Sequence, residues 1–158
     1  MFFRLAFACL LSIQSFNGGY SNFSSTQGIK MTHRANGTFT VKMQPQSPAP
    51  ADGLARYSLD KTWQGDFVGS SHGEMLSGGD PAKGQAGYVA IERLTGTLQG
   101  KQGSFALQHL ATMDAHGQKM TIVVVPGSGT GDLQGISGSL QIHIEAGQHN
   151  YTLEYELP

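Results

Sequence analysis

The stretch Gly87-Tyr-Val-Ala-Ile-Glu-Arg-Leu-Thr-Gly-Thr-Leu-Gln-Gly-Lys-Gln-Gly-Ser-Phe-Ala-Leu-Gln-His109 decides the fold class. An apolar-rich run at its start is followed by a corner rich in glycine, and a second run then alternates in polarity. In that second run Phe105, Leu107 and His109 share one face, which is the two-residue period of a β-strand. Glycines between two such runs mark a turn or bulge, so the stretch predicts a β-hairpin.

The same alternation recurs on both sides of this hairpin. Strands are predicted over residues 32–43, 56–64, 65–76, 119–125, 137–145 and 150–157, with Pro- and Gly-rich turns between them. The β-branched run 119–125 is predicted to be buried on both faces, and residues 44–53, with three prolines, are predicted to form an exposed loop. About eight strands joined by short turns predict an all-β, antiparallel up-and-down barrel of the lipocalin type, because closure removes exposed sheet edges.

Three segments repeat the pattern glycine–any–apolar–any–glycine. They are Gly65-Asp-Phe-Val-Gly69, Gly96-Thr-Leu-Gln-Gly100 and Gly131-Asp-Leu-Gln-Gly135. Glycine is favoured where the backbone takes a positive φ or where a neighbouring chain approaches closely. We therefore expect a sharp corner at each segment, with the central apolar side chain in the core; the alternative is chance recurrence in a chain with 22 glycines.

Residues 1–30 differ in composition from the rest of the chain. A charged start is followed by a short apolar run and then by a Ser-, Asn- and Gly-rich stretch, which is the pattern of a secretory signal. The alternative is an over-extended gene start, with translation beginning at Met31. In either case we expect residues 1–30 to lie outside the fold and residues 31–158 to form a single barrel domain. The protein is exported under the first interpretation and cytoplasmic under the second.

The composition excludes several classes of function. A formal net charge of -1 gives no electrostatic case for binding nucleic acid. The apolar run in the leader is too short to span a bilayer, so no integral membrane association is expected. The single cysteine, Cys9, lies in the leader and leaves the barrel without a disulfide or a thiolate nucleophile. His143 and Glu145 lack a third ligand, so neither a metal nor a cofactor is predicted.

Two longer motifs resemble a known family. These are the hairpin stretch quoted above and Val125-Pro-Gly-Ser-Gly-Thr-Gly-Asp-Leu-Gln-Gly-Ile-Ser-Gly138. Together they resemble a family of uncharacterised bacterial proteins whose fold is similar to the allene oxide cyclase barrel. The resemblance covers about residues 31–158 and implies an eight-stranded antiparallel barrel with a polar-rimmed interior. It implies no activity, and no residue matches the catalytic groups of the plant cyclase. The opening Ala35-Asn-Gly-Thr-Phe-Thr-Val41 is similar to the start of those proteins and favours Met31 as the first residue.

The candidate site residues are polar and aromatic side chains on strand faces that are candidates for the barrel interior. Glu92 shares a face with Tyr88; if that face is interior, burial raises the pKa of the carboxyl and suits it to acid–base chemistry. If the face is exterior, Glu92 is an ordinary surface residue. His109 is predicted to point inward, where the interpretation as a hydrogen-bonded core histidine is favoured over a binding role. The aromatic residues Trp63 and Phe105 are predicted to line the interior.

Glu74 completes the set of candidates. It shares a face with His72 on the strand that precedes the central hairpin. If that strand pairs with the first strand of the hairpin, Glu74 is predicted to join Glu92.

The sequence therefore favours a non-enzymatic or weakly catalytic barrel that binds a small, mostly apolar molecule. One alternative is a cyclase or isomerase that uses a cavity carboxylate, which rests on analogy of fold alone. The other alternative is a barrel filled by its own side chains that acts as a homo-oligomeric interaction module. A deep cavity containing Glu92 favours the first two functions, and a filled core with an exposed apolar patch favours the third.

Overall fold

The computed structural model describes residues 31–158, which form a closed barrel of eight antiparallel strands and confirm the predicted fold class. The strands are β1 (His33–Gln46), β2 (Leu54–Gly65), β3 (Phe67–Asp80), β4 (Gln85–Leu98), β5 (Lys101–Asp114), β6 (Gly117–Val124), β8 (Ser137–Glu145) and β9 (Gln148–Glu156), with a two-residue β7 (Thr130–Gly131) outside the ring. A single turn of 3-10 helix, Pro81–Lys83, joins β3 to β4. Within residues 31–158 no helix is long and apolar enough to cross a membrane. The predicted leader lies outside the described residues.

The ring closes because β4 pairs with β5 and β1 pairs with β9. The predicted central hairpin is β4–β5, in which Leu98 pairs with Lys101 across a tight turn at Gln99 and Gly100. Both turn residues have a positive φ, which is the backbone conformation that a two-residue hairpin turn of type I′ requires at both positions. Gly96 and Gly103 are not part of the turn but pair with each other within the strands.

The three glycine segments all lie at one end of the barrel. Their central residues Phe67, Leu98 and Leu133 are fully buried, which confirms the prediction that each corner keeps one apolar side chain in the core. They meet because alternate turns of an up-and-down barrel fall at the same end. Glycine is needed at positions 69 and 96 because the backbones of β3 and β4 approach each other closely there. A Cβ on Gly96 would lie 2.8 Å from the Cα of Gly69.

Aromatic side chains fill this closed end. The ring of Phe67 packs edge-on against Trp63 and Phe105, with ring centres 6.1 and 5.9 Å apart. The Trp63 ring packs in the same way on Tyr151, at 5.1 Å. The Tyr151 hydroxyl accepts a hydrogen bond of 2.9 Å from the backbone N–H of Phe67. This half of the barrel is therefore a packed core.

Two local predictions were wrong. The run 119–125 is buried on one face only: Ile122 and Val124 are buried and Val123 is exposed, because the outside of a single barrel has no second layer to cover it. The loop predicted over residues 44–53 is shorter, because β1 continues to Gln46 and Pro45 pairs with Tyr57.

Candidate functional site

The end of the barrel opposite the glycine corners contains an open cavity of about 430 Å³. Its walls are mostly apolar and include Leu59, Ala111 and Ile142. Four methionines also contribute to the lining: Met43, Met75, Met113 and Met120. A cavity of this size lies within the range of sites for small organic ligands, which is about 300–1,000 Å³.

The cavity ends at a layer of polar side chains halfway along the barrel. Lys61 and His109 line its inner end. The next inward-facing residues along the same strands, Trp63 and Leu107, belong to the packed core and do not line the cavity. The floor of the cavity is therefore polar, although its walls are not.

A buried carboxylate lies beneath this floor. Glu92 on β4 is 1% exposed, and Lys61 on β2 and His109 on β5 are 7% and 3% exposed. The Lys61 ammonium donates to Glu92 Oε1 at 2.6 Å, and His109 Nε2 lies 2.9 Å from the same oxygen. Ser71 on β3 donates its hydroxyl hydrogen to Oε2 at 2.6 Å. Both carboxylate oxygens are thus hydrogen-bonded, as a buried charge requires.

Aromatic residues hold the partners of Glu92 in place. The Trp63 indole N–H donates to Ser71 Oγ at 2.9 Å, so the serine hydroxyl hydrogen is left for the carboxylate. The ammonium of Lys61 lies 4.8 Å from the ring centre of Phe39 and 5.3 Å from that of Trp63. These contacts are in the range of cation–π interactions and stabilise the lysine charge away from water.

The partners of Glu92 reverse the pKa shift that the sequence predicts. Burial raises the pKa of this carboxyl, but the hydrogen bond from His109, the charge of Lys61 and the hydrogen bonds from Lys61 and Ser71 outweigh burial and lower the pKa to about 2. The predicted raised pKa is therefore wrong. Glu92 is a carboxylate at neutral pH, and a group this weakly basic is poorly matched to general acid–base catalysis.

The structure brings some of the predicted site residues together and separates others. Glu92 and His109 are in direct contact, and Tyr88 lines the cavity wall with its hydroxyl 3.9 Å from the sulfur of Met120. Burial, and secondly the charge of Glu92, raise the pKa of Tyr88. Trp63 and Phe105 do not line the cavity; Phe105 belongs to the packed core, and Trp63 supports the site through Ser71.

Glu74 lies on the outside of the barrel, and the interpretation that it joins Glu92 is wrong. Strands β3 and β4 do pair, but Gly73 is opposite Glu92 and Glu74 is opposite Ile91. Neighbouring positions on a strand face opposite ways, so Glu74 points to solvent. There it accepts a 2.8 Å hydrogen bond from Nε of Arg56.

Sequence reasoning missed Lys61 and Ser71 as site residues. A signal for Lys61 was present, because it alternates with Leu59 and Trp63 and therefore shares their inward face. Lysine is seldom buried unless paired, so composition alone argues for the outside. Ser71 carried no signal of its own.

The chain matches a known protein family along most of the barrel. The model of the DUF3224 family, described as proteins of unknown function, matches residues 35–155. The chain belongs to the DUF3224 family. A crystal structure of a DUF3224 protein of unknown function from Shewanella oneidensis MR-1 is 42% identical, with a TM-score of 0.73 over 81% of this chain and 100% of that chain. No curated protein matches significantly. The predicted membership of an uncharacterised bacterial family is confirmed; likeness to allene oxide cyclase stays a prediction.

We expect strong thermodynamic coupling between Lys61 and Glu92 in this DUF3224 barrel. Lys61→Met or Glu92→Leu alone leaves a buried charge without its partner and should lower the free energy of unfolding by about 3–5 kcal/mol. The double variant removes both charges and should return to within about 2 kcal/mol of the wild type. Urea unfolding of the four proteins measures the coupling. The matched control is the exposed pair Arg56→Met and Glu74→Leu, which should show little coupling; additive losses at Lys61 and Glu92 would contradict the expectation.

The lowered pKa of Glu92 predicts a specific loss of stability in acid. A carboxyl whose pKa is lower in the folded state stabilises the protein above its unfolded pKa, and this contribution disappears as the pH falls through the folded pKa. For Glu92 this loss of stability is expected as the pH falls from about 4.5 to about 2. Between about pH 5 and about pH 2 the wild type should lose on the order of 3 kcal/mol more stability than Glu92→Gln. Denaturant titrations of both proteins across this range measure the difference, and parallel pH profiles would show that Glu92 is not responsible.

Proposed function

We propose that this DUF3224 protein binds a small, mostly apolar molecule in the open half of its barrel. The observation that carries the proposal is the cavity itself, with a volume of about 430 Å³, apolar walls and two polar side chains at its inner end. Ligand sites combine an apolar lining with a few placed polar groups in this way.

The methionines of the wall support a ligand role. Met is unbranched and polarizable, so a wall containing Met43, Met75, Met113 and Met120 can adapt to ligands of different shape. At the mouth, Met120 and Ile144 are 46% and 60% exposed. Large apolar side chains grouped around an opening are typical of a surface that another apolar molecule covers.

The weakest seam of the barrel wall, between β6 and β8, borders the cavity. Strands β6 and β8 share a ladder of a single residue pair, Val123 with Ser139, whereas every other pair of neighbours in the ring has an extended ladder. From that pair towards the mouth the two strands have no ladder. Met120 and Ile144 lie on the two sides of this seam and both line the cavity. Because fewer ladder hydrogen bonds hold β6 and β8 together, this seam is the part of the cavity wall that can open most easily for a ligand.

The same geometry disfavours the cyclase or isomerase alternative. Glu92 does not line the cavity, because Lys61 and His109 separate it from the open space. Its pKa of about 2 removes the driving force for taking a proton from a bound molecule. We infer that the role of Glu92 is to hold Lys61 and His109.

Filling the cavity should abolish ligand binding without unfolding the protein. Ala111→Trp places a large side chain in the open space, whereas Gln108→Trp on the same strand points to solvent and serves as the control. We expect the neutral fluorophore N-phenylnaphthylamine to bind the wild type and Gln108→Trp, and to bind Ala111→Trp at least about tenfold more weakly. Fluorescence titration measures the affinities, and circular dichroism checks that each variant folds.

Equal binding by the two folded variants, or no binding by the wild type, would refute the cavity as a ligand site. Native mass spectrometry of the protein purified gently from its own host gives an independent readout. We expect an added mass on the wild type that Ala111→Trp lacks.

A second candidate function, homo-oligomeric association, is favoured by the outer face of the barrel. Leu76, Val89 and Leu110 lie side by side across β3, β4 and β5, and all three are exposed. Ile91 extends this apolar row along β4. If this face joins two copies, sedimentation should show a dimer in the wild type and a monomer in Leu110→Lys. A monomeric wild type at tens of micromolar would refute the second candidate and leave the first intact.

A further inference from the structure

We propose that the cavity recognises a neutral hydroxyl group at the inner end of its apolar ligand, held between Lys61 Nζ and His109 Nδ1. The ligand class is therefore an alcohol or phenol with an apolar body. This inference rests on the proposed ligand-binding function and adds the chemistry of the group that the floor of the cavity selects.

The first step is the hydrogen-bonding state of His109. Its Nε2 lies 2.9 Å from Glu92 Oε1, and a carboxylate can only accept hydrogen bonds. Nε2 must therefore carry the hydrogen, and in the neutral ring Nδ1 is then an acceptor. Within residues 31–158 no group hydrogen-bonds to Nδ1, although the ring lines the cavity floor. The floor thus presents one unoccupied acceptor.

The second step is the donor capacity of Lys61. An ammonium group has three N–H donors, and in the described residues only Glu92 accepts one of them. The rings of Phe39 and Trp63 stabilise the positive charge without accepting a conventional hydrogen bond. Lys61 also lines the cavity, so the floor contains two N–H donors without an acceptor as well as the unoccupied acceptor of His109.

The third step is charge. Lys61 and Glu92 are in contact at 2.6 Å, and their opposite charges cancel across the floor. A ligand carboxylate would bring a second negative charge into this layer without a further cation in contact with it, and burying an uncompensated charge is costly. The other titratable groups that line the cavity are Tyr57, Tyr88, His149 and Lys119, and Lys119 is at the exposed mouth. A neutral group that both accepts and donates is the best complement, and a hydroxyl does both.

The apolar part of the ligand then extends from the floor to the mouth. Along this path the wall offers Leu59, Met75 and Ala111, and at the mouth the exposed Met43 and Ile144. A chain or ring system attached to the hydroxyl covers these side chains and removes apolar surface from water on both partners. Head group and body are therefore recognised by different layers of the same cavity.

The test compares three ligands that share one apolar chain: decanol, its methyl ether and decanoate. The ether keeps the accepting oxygen but replaces the donated hydrogen with a methyl group, so it should bind about tenfold more weakly than decanol. Decanoate carries the charge that the floor does not compensate and should bind more weakly still. Displacement of N-phenylnaphthylamine from the wild type measures all three affinities.

Two variants test which side chain is responsible for the preference for a hydroxyl group. His109→Phe removes the acceptor and should bind decanol and the ether equally, whereas Tyr88→Phe removes the neighbouring cavity hydroxyl and should keep the preference for decanol. Since His109→Phe also removes a hydrogen bond to the buried carboxylate, a measurement on the wild type accompanies it. We expect decanol, and not the ether, to shift the Nδ1 signal of His109 in nitrogen NMR.

The outcomes separate this inference from the proposed function. Equal affinities for decanol and ether in the wild type would overturn hydroxyl recognition and leave apolar ligand binding intact. Tightest binding of decanoate would show an anion site in place of a neutral one and would also overturn the inference. Binding of none of the three, together with no binding of the fluorophore, would refute the proposed function itself.

Discussion

The negative charge of Glu92 inside the barrel is the constraint that divides this structure into two halves. A carboxylate buried to this extent is tolerated only where donors surround it, and here they come from three other strands: Lys61 on β2, Ser71 on β3 and His109 on β5. Those side chains form a polar cluster inside β2–β5 at the inner end of the cavity. Apolar and aromatic residues close the barrel on one side of the cluster, and on the other side the interior stays open. The buried charge of Glu92 thus lies at the boundary between the packed core and the cavity.

The strand pattern was predictable because each strand of a barrel has one buried face. Alternation identified the inward face of β5 correctly and placed Trp63 of β2 in the interior, and the glycine segments predicted three corners with buried central residues. The same argument explains the error over residues 119–125, where the β-branched run predicts burial on both faces and only one face is buried. Branched side chains suit any strand, so they report strand propensity and not the number of covered faces.

The site was less predictable because its energetics depend on contacts between strands. The sequence places Glu92 on the same face as Tyr88, but it shows neither that this face is interior nor that the Lys61 ammonium reaches the carboxylate, and that partner decides the direction of the pKa shift. Glu74 is a second example of a side chain whose surroundings depend on strand pairing. A register difference of one residue decides whether a carboxylate faces the cavity or solvent. The face on which a side chain lies can be read from its own strand. Whether a buried charge has a partner can be read only from the assembled sheet.

The pairing of β1 with β9 has a practical consequence for handling the protein. His33 is opposite Tyr155, so both ends of the described chain emerge side by side at the end of the barrel that the aromatic core closes. A tag or a fused reporter domain joined directly to residue 31 or to residue 158 is therefore directed away from the mouth of the cavity. The barrel can be immobilised or displayed by its sealed base, with the opening left facing the solution.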